Sequence, residues 1–375
     1  MNLGFLRPLY QQIGGYVSVY LETSADRENA PAETGLRWRA ARGRLERSGA
    51  DPATLDAAEA AIIGPAAAAP GRAVFARAGA VVMSVPLATP PRREIARLAP
   101  LPHVMPLLAQ RPPVIPHVRV AASRTGGEIV TVGGDGRARQ DRASGEQWPV
   151  HKTSVGGWSQ ASHQRSAEER WDENARHLAS QVTAAADRAR ASHVIVGGDV
   201  RARNLLLDHL SQPLRESAVT VGQEVAADSP AMTAAAGHAV ATWSGDQARQ
   251  RLDHWRSQRP SGRTAEGLAE TTAALRDGQV AELFVADRAD STATAWIGPE
   301  GADLACAAGD LPERDGRWPV TERVDAAIAR AVSTTGGELY FLPPDQVADG
   351  DPAACGGIAQ PRDGICATLR YPPGG

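Results

Sequence analysis

Residues Val150 to Val182 read VHKTSVGGWSQASHQRSAEERWDENARHLASQV, and the rest of the chain is best understood outward from them. The stretch Val150–Arg165 holds two adjacent glycines, Gly156 and Gly157, and gathers His151, Lys152, His163 and Arg165 with no acid among them. Paired glycines let a backbone take positive φ and come close to another surface. Ser166 and Glu169 then make an S-x-x-E capping box, in which each side chain satisfies a free amide, so a helix is expected to start there. Ala167, Trp171, Ala175, Leu178, Ala179 and Val182 recur at spacings of three and four, which gives that helix one apolar face. A plain flexible connection between strand and helix is the simpler account of the loop. Its length, its cationic character and the well-capped helix behind it favour a loop built to enter a narrow anionic cavity.

The flanking sequence fixes the class. Downstream, His193 to Gly197 (HVIVG) reads as a buried strand, Asp199 to Leu210 as a helix and Ala218 to Val221 as a further strand. Upstream, Val118 to Ala122 and Glu128 to Val132 read as strands separated by Thr125-Gly126-Gly127, a hairpin signal. Strands alternating with helices imply an α/β sandwich. Nearer the start, Tyr16 to Leu21 is a strand candidate, and helices are expected around Gly35–Arg47 and Ala53–Ile63. The run GRAVFARAGAVVMSVPL reads as a hairpin turning at Ala78-Gly79. The proline-rich stretch Ala88–Pro116 suggests a linker near 110–116, because proline removes backbone donors and disfavours helix before it.

The last third alternates in the same way. Thr264 is expected to cap a helix running to about Arg276, closed by Asp277-Gly278. Val280 to Ala286 reads as a strand, Val324 to Val332 as a helix stopped by Gly336-Gly337, and Glu338 to Leu342 and Ile365 to Tyr371 as strands. The expected architecture is α/β with three domains, each a mixed α/β sandwich. They comprise an N-terminal domain over 1–115, a middle domain over 116–230 and a C-terminal domain over 262–375. A helical connector over 231–261 is centred on Trp243 to Trp255. No internal repeat of fixed period is present.

Composition limits the function. At 375 residues the chain exceeds one ordinary core. Hydrophobic residues make up 42% and charged residues 22% of it, the proportions of a globular protein. Lys152 is the sole lysine, and the formal net charge of −3 argues against a polycation that coats DNA or any other nucleic acid. No apolar run is long enough to span a membrane, and the opening MNLGFLRPLYQQIGGYVSVY lacks a secretory pattern. Cys306, Cys355 and Cys366 are odd in number and without CxxC spacing, so no disulfide framework, zinc site or other metal is expected, and a cytoplasmic setting fits.

Familiar catalytic motifs are missing. HKTSVGGWS lacks the order of a phosphate-binding loop, and GGDVRAR after HVIV lacks dinucleotide-binding glycine spacing. There is no HExxH pair and no G-x-S-x-G elbow. His163 and His177, fourteen apart, read as ordinary surface or hydrogen-bonded histidines. Arg37, Arg39, Arg42, Arg44 and Arg47 form a basic run around Trp38, either a solvated face paired with Glu46 or a face for RNA.

GGWSQASHQRSAEERWDENARHLA resembles the loop and helix of class-one release factors of the archaeal and eukaryotic type, where a Gly-Gly-Gln tip is followed by serine and a long helix. Gly156 and Gly157 match the two glycines and Ser159 the serine, while Trp158 stands where the glutamine belongs. GLAETTAALRDGQVAELFVADR (Gly267–Arg288) and DGICATLRY (Asp363–Tyr371) resemble the C-terminal domain of release factors and of Pelota, and YVSVYLET (Tyr16–Thr23) the first strand of bacterial relatives. The loop and the overall length are most similar to the bacterial group that includes the hibernation factor Balon.

That resemblance implies ribosome binding at the A site, against rRNA, without peptide release, by a hibernation or stress factor with elongation factor Tu as a partner. The implied contact loop is His151, Lys152, Gly156, Gly157, Trp158, Ser159, Gln160, His163 and Arg165, with no catalytic residue and no cofactor. Tryptophan offers one indole donor and no amide carbonyl, so it cannot reproduce the geometry of the glutamine. A peptidyl-tRNA hydrolase using Gln160 or a histidine, and a plain RNA-binding stress protein, are the alternatives.

Overall fold

The computed structural model describes residues 1–24, 30–64, 69–111, 114–144, 159–222, 225–288, 291–311, 319–342 and 361–372. The chain forms two compact units, the first from Met1–Arg111 with Ala248–Gly375 and the second from Pro112–Gln247.

The first unit begins with a short 3-10 helix and β1 (Tyr16–Glu22), followed by α1 (Ala30–Arg47) and α2 (Pro52–Ile63). Asp51 caps α2, its carboxylate accepting from the Thr54 amide at 2.8 Å. β2 (Gly71–Arg77) and β3 (Ala80–Leu87) form the expected hairpin, with Ala78 (φ 48°) and Gly79 (φ 77°) both left-handed at its turn. β4 (Ile95–Ala99) and α3 (Met105–Gln110) follow inside the proline-rich stretch. Their prolines bracket β4 and open α3, where a missing N–H costs nothing.

The sheet order is β3-β2-β1-β4, antiparallel throughout. β1 is buried on both faces. Val17, Val19 and Leu21 pack with Trp38, Leu45 and Leu55 under α1 and α2. Tyr16 and Tyr20 point the other way, into a core shared with the last third of the chain.

The second unit holds β5 (His117–Ser123), β6 (Gly126–Val132), β7 (Ala138–Ser144), α4 (Ser159–Ala189), β8 (His193–Gly198), α5 (Val200–His209), α6 (Gln212–Glu216) and β9 (Val219–Thr220). Its sheet runs β7-β6-β5-β8-β9, antiparallel from β7 to β5 and parallel from β5 to β9. The hairpin turn falls at Arg124-Thr125, since Ser123 pairs with Gly126.

α4 starts seven residues before Ser166, so the capping-box reading is corrected. Neither glycine nor proline interrupts Ser159–Arg165, and the helix runs through them. Ala175, Leu178, Ala179 and Val182 are buried as expected, and Trp171 is only half-buried. The Gly197-Gly198 pair is structural. Gly198 has φ 99°, and a Cβ there would sit 2.1 Å from the Ala122 carbonyl oxygen. α7 (Pro230–Gln258) packs Met232, Ala236 and Ala239 near Ile195, and Trp243 stacks on His193 at 4.2 Å between ring centroids.

Within the first unit, Leu252 and Trp255 of α7 pack with Phe284, Leu342 and Cys366. The remaining elements are β10 (Thr264–Glu266), α8 (Leu268–Arg276), β11 (Val280–Val285), β12 (Thr294–Ile297), β13 (Leu304–Ala305), β14 (Val320–Arg323), α9 (Val324–Thr335), β15 (Glu338–Phe341) and β16 (Ile365–Leu369). They build sheets of order β10-β16-β11-β15 and β13-β12-β14. Thr264 is no helix cap, because it pairs with Thr368 in a ladder. α8 begins at Leu268, whose amide is met by the Asp363 carboxylate at 3.0 Å, a partner 95 residues away.

Buried Glu322 joins the two sequence segments of this unit. It accepts from Arg97 at 2.5 Å and from the Leu101 amide at 3.0 Å. Cys306 is exposed and Cys366 buried, both as free thiols. Among the described residues no helix is long and apolar enough to cross a membrane, and no group of acidic, histidine or cysteine side chains is arranged to hold a metal ion.

Candidate functional site

The site is built at the end of the second unit where β7 stops at Ser144 and α4 starts at Ser159. His151, Lys152, Gly156, Gly157 and Trp158 lie outside the described residues. Ser159, Gln160, His163 and Arg165 occupy the first two turns of α4, and their side chains are also outside the described set. From Ser159 to Trp171 the helix axis advances about 18 Å at 1.5 Å per residue. Helix α4 thus begins more than three turns before the Trp171 contacts.

Those contacts form a compact polar platform. The guanidinium carbons of Arg124, in the β5–β6 turn, and Arg201, in the first turn of α5, lie 5.0 and 4.9 Å from the centre of the Trp171 ring. Each contact contributes about 0.5–1 kcal/mol at an exposed site. Asn174 donates to the Arg124 carbonyl at 3.0 Å, fixing α4 against the turn. Asp199 caps α5 by accepting from the Arg201 and Ala202 amides, both at 3.0 Å, and its other oxygen takes Arg124 Nε at 3.2 Å. Those backbone donors, with the Arg124 charge behind them, hold the Asp199 carboxyl below its ordinary range. On the far side of Trp171, Asp172 meets His209 Nε2 and Arg176, each at 2.6 Å. The His209 hydrogen bond, then the nearby positive charges, keep Asp172 ionised.

Guanidinium groups beside a half-buried indole on α4 are chemistry suited to phosphates and stacked bases. The sequence reading missed Arg124 and Arg201, and it placed Trp171 wholly in the apolar face. A hairpin-turn arginine and the D-V-R spacing after a cap were the available signals. The arginine run on α1 is different. Arg37 lies within 3.6 Å of Glu22, Glu33 and Glu94, and Arg42 within 2.9 Å of Glu46, Asp56 and Glu59, so these two are neutralised locally.

Residues 116–261 match the profile of bacterial archaeo-eukaryotic release factor family 2. The chain is 30% identical over 381 residues to the uncharacterized proteins Rv2629 and MT2704 of two Mycobacterium tuberculosis strains, across 98% of this chain and 96% of each of them. Among solved structures it is similar to Archaeoglobus fulgidus Pelota, with 15% identity, coverage of 100% of this chain and 92% of that chain, and a TM-score of 0.36. It is also similar to an archaeal translation termination factor, aRF1, with 14% identity, coverage of 98% and 96%, and a TM-score of 0.25.

Proposed function

Because this chain belongs to bacterial archaeo-eukaryotic release factor family 2, we propose that it binds the ribosome at the A site and leaves peptidyl-tRNA intact. The observation that carries this reading is Trp158, which stands directly after Gly156-Gly157 where release requires a glutamine. An indole has no carbonyl to orient a water, and displacement of a reacting group by about an ångström already costs orders of magnitude in rate. Gln160 lies in the first turn of α4, two residues beyond the tip position.

The functional divisions are the N-terminal domain (1–115), middle domain (116–230), helical connector (231–261) and C-terminal domain (262–375). The first faces the decoding centre, the loop of the second points toward the peptidyl transferase centre, and the last meets elongation factor Tu. The protein then acts as a hibernation or stress factor. Lys152 and Arg165 supply positive charge at the loop and His151 and His163 hydrogen-bonding groups, Trp158 stacks on a base, and Arg124 and Arg201 meet backbone phosphates nearer the body of the unit.

The test is sedimentation of the purified protein with vacant ribosomes across a salt series, paired with a peptide-release assay. Binding that falls steeply with salt and no released peptide are expected. Failure to co-sediment at physiological salt removes the proposal. Peptide release that disappears in Gln160→Ala replaces it with a peptidyl-tRNA hydrolase.

A further inference from the structure

The first unit contains a cavity of about 360 Å³, lined by residues of the segment Arg92–Gln110 and of the last third of the chain. We propose that this cavity is a second binding site, for a small, neutral and mainly hydrocarbon molecule. The site is separate in sequence and in unit from the loop assigned to the ribosome.

The lining residues divide by exposure. Ile95, Met105, Leu268, Val285, Ile328 and Phe341 are buried or half-buried and belong to the core of the unit or pack against it. Arg92, Arg93, Asp287, Arg288 and Asp363 are exposed. The interior is therefore apolar and the charges sit at its mouth. Protein interiors leave few voids larger than a water molecule, so a hollow of this size against the core is apolar surface still to be covered.

Nothing at the site favours an ion. Asp287, Asp325 and Asp363 balance Arg92, Arg93 and Arg288, and each of these arginines has a partner. Arg92 pairs with Asp287 at 2.8 Å, Arg323 holds Asp325 at 2.6 Å, and Asp363 accepts from the Leu268 amide at 3.0 Å. Two polar atoms of lining residues lack a hydrogen-bond partner, His103 Nδ1 and Gln110 Oε1, but both are buried and present no surface to a ligand. A charged ligand would lose its water here and gain no free counter-charge. A hydrocarbon gives up nothing polar and covers the apolar walls. At about 360 Å³ the cavity is at the small end of ligand sites, which run from about 300 to 1,000 Å³. That suits an alcohol of medium chain length or a pair of fused rings.

The experiment is a fluorescence titration of the full chain with N-phenylnaphthylamine, a neutral probe that brightens in apolar sites, followed by displacement with decanol and with decanoate. One probe per chain is expected, with decanol displacing it at a concentration at least tenfold below that of decanoate. Ala293 is an exposed lining residue, so Ala293→Trp narrows the mouth without touching the core. It should weaken probe binding tenfold or more at an unchanged melting temperature. The wild-type comparison of decanol with decanoate decides the question if Ala293→Trp does not fold. A probe that stays dark at saturating concentration overturns the proposal. So do displacement by decanoate as efficient as by decanol, and binding unchanged in a folded Ala293→Trp. The last control replaces residues 344–359, which lie outside the described residues, by a Gly-Ser linker of equal length. Probe binding seen only in that variant gives the cavity to the chain itself and likewise overturns the proposal.

Discussion

His103 makes the stability of the first unit depend on pH. Burial pushes its imidazole down to about 4 from an ordinary 6.5. Asp325 at 3.9 Å favours the proton, while the Arg323 and Arg97 charges oppose it. Between about pH 6.5 and 4 the unfolded chain takes up a proton that the folded chain refuses. Stability is therefore complete above that window and is lost as the pH falls through it. With those two values, moving from pH 7 to pH 5 removes about 2 kcal/mol, and reaching pH 4 about 3 kcal/mol. The assay is urea unfolding at pH 7 and pH 5 of the wild type and of His103→Gln, which removes the titrating group and keeps both backbone hydrogen bonds. The wild type should lose about 2 kcal/mol more than the variant over that interval. An NMR titration of the His103 ring supplies the direct check. A ring that titrates near 6.5 in the folded protein, or equal losses in wild type and variant, would refute the reasoning.

Gly198→Ala should destabilise the second unit by about 3 kcal/mol or more, since the new Cβ would lie 2.1 Å from a carbonyl oxygen at a φ of 99°; a melting curve unchanged from wild type would contradict it. Glu322→Ala strips the acceptor from Arg97 and from the Leu101 amide and should cost about 2–4 kcal/mol in urea unfolding, with Glu322→Gln intermediate. Arg124→Glu combined with Arg201→Glu should reduce ribosome co-sedimentation at least tenfold, while the same change at Arg37 and Arg42, each of which meets three carboxylates, has little effect on binding. Trp158→Ala should leave the melting temperature where it is and weaken ribosome affinity by about tenfold; a large fall in melting temperature with intact binding would assign the indole to the fold.

What the sequence made readable were the elements whose signal is local. YVSVYL, the Ala78-Gly79 hairpin and HVIVG all became strands over the expected residues, and Gly336, at φ 71°, ends α9 as anticipated. The elements missed lack such a signal. β7 (ARQDRAS) has no apolar alternation and is held by its ladder to β6, and β4 hides among prolines that flank it. The two mistaken helix starts share one cause. Ser166 and Thr264 are good caps in isolation, but an uninterrupted helix claims the first and a ladder with β16 claims the second. At the site, residue types and spacing picked out the loop. The platform was hidden because Arg124, Trp171 and Arg201 come from a turn and two helices that meet only in the folded unit.

The split composition of the first unit sets an order of events during synthesis. The face of β1 and β2 that carries Tyr16, Tyr20 and Phe75 belongs to a core completed by Leu283, Leu339 and Ile365. Residue 365 leaves the ribosome about 350 residues after residue 16, a wait of roughly 17–70 s at 5–20 residues per second. The other face can close at once under α1 and α2, whose partners lie within the first 98 residues, and the second unit can fold in the interval. For that time the nascent chain has only Leu6, Leu9, Leu107 and their near neighbours to cover an aromatic sheet face, which is the surface a chaperone or a neighbouring nascent chain would meet first.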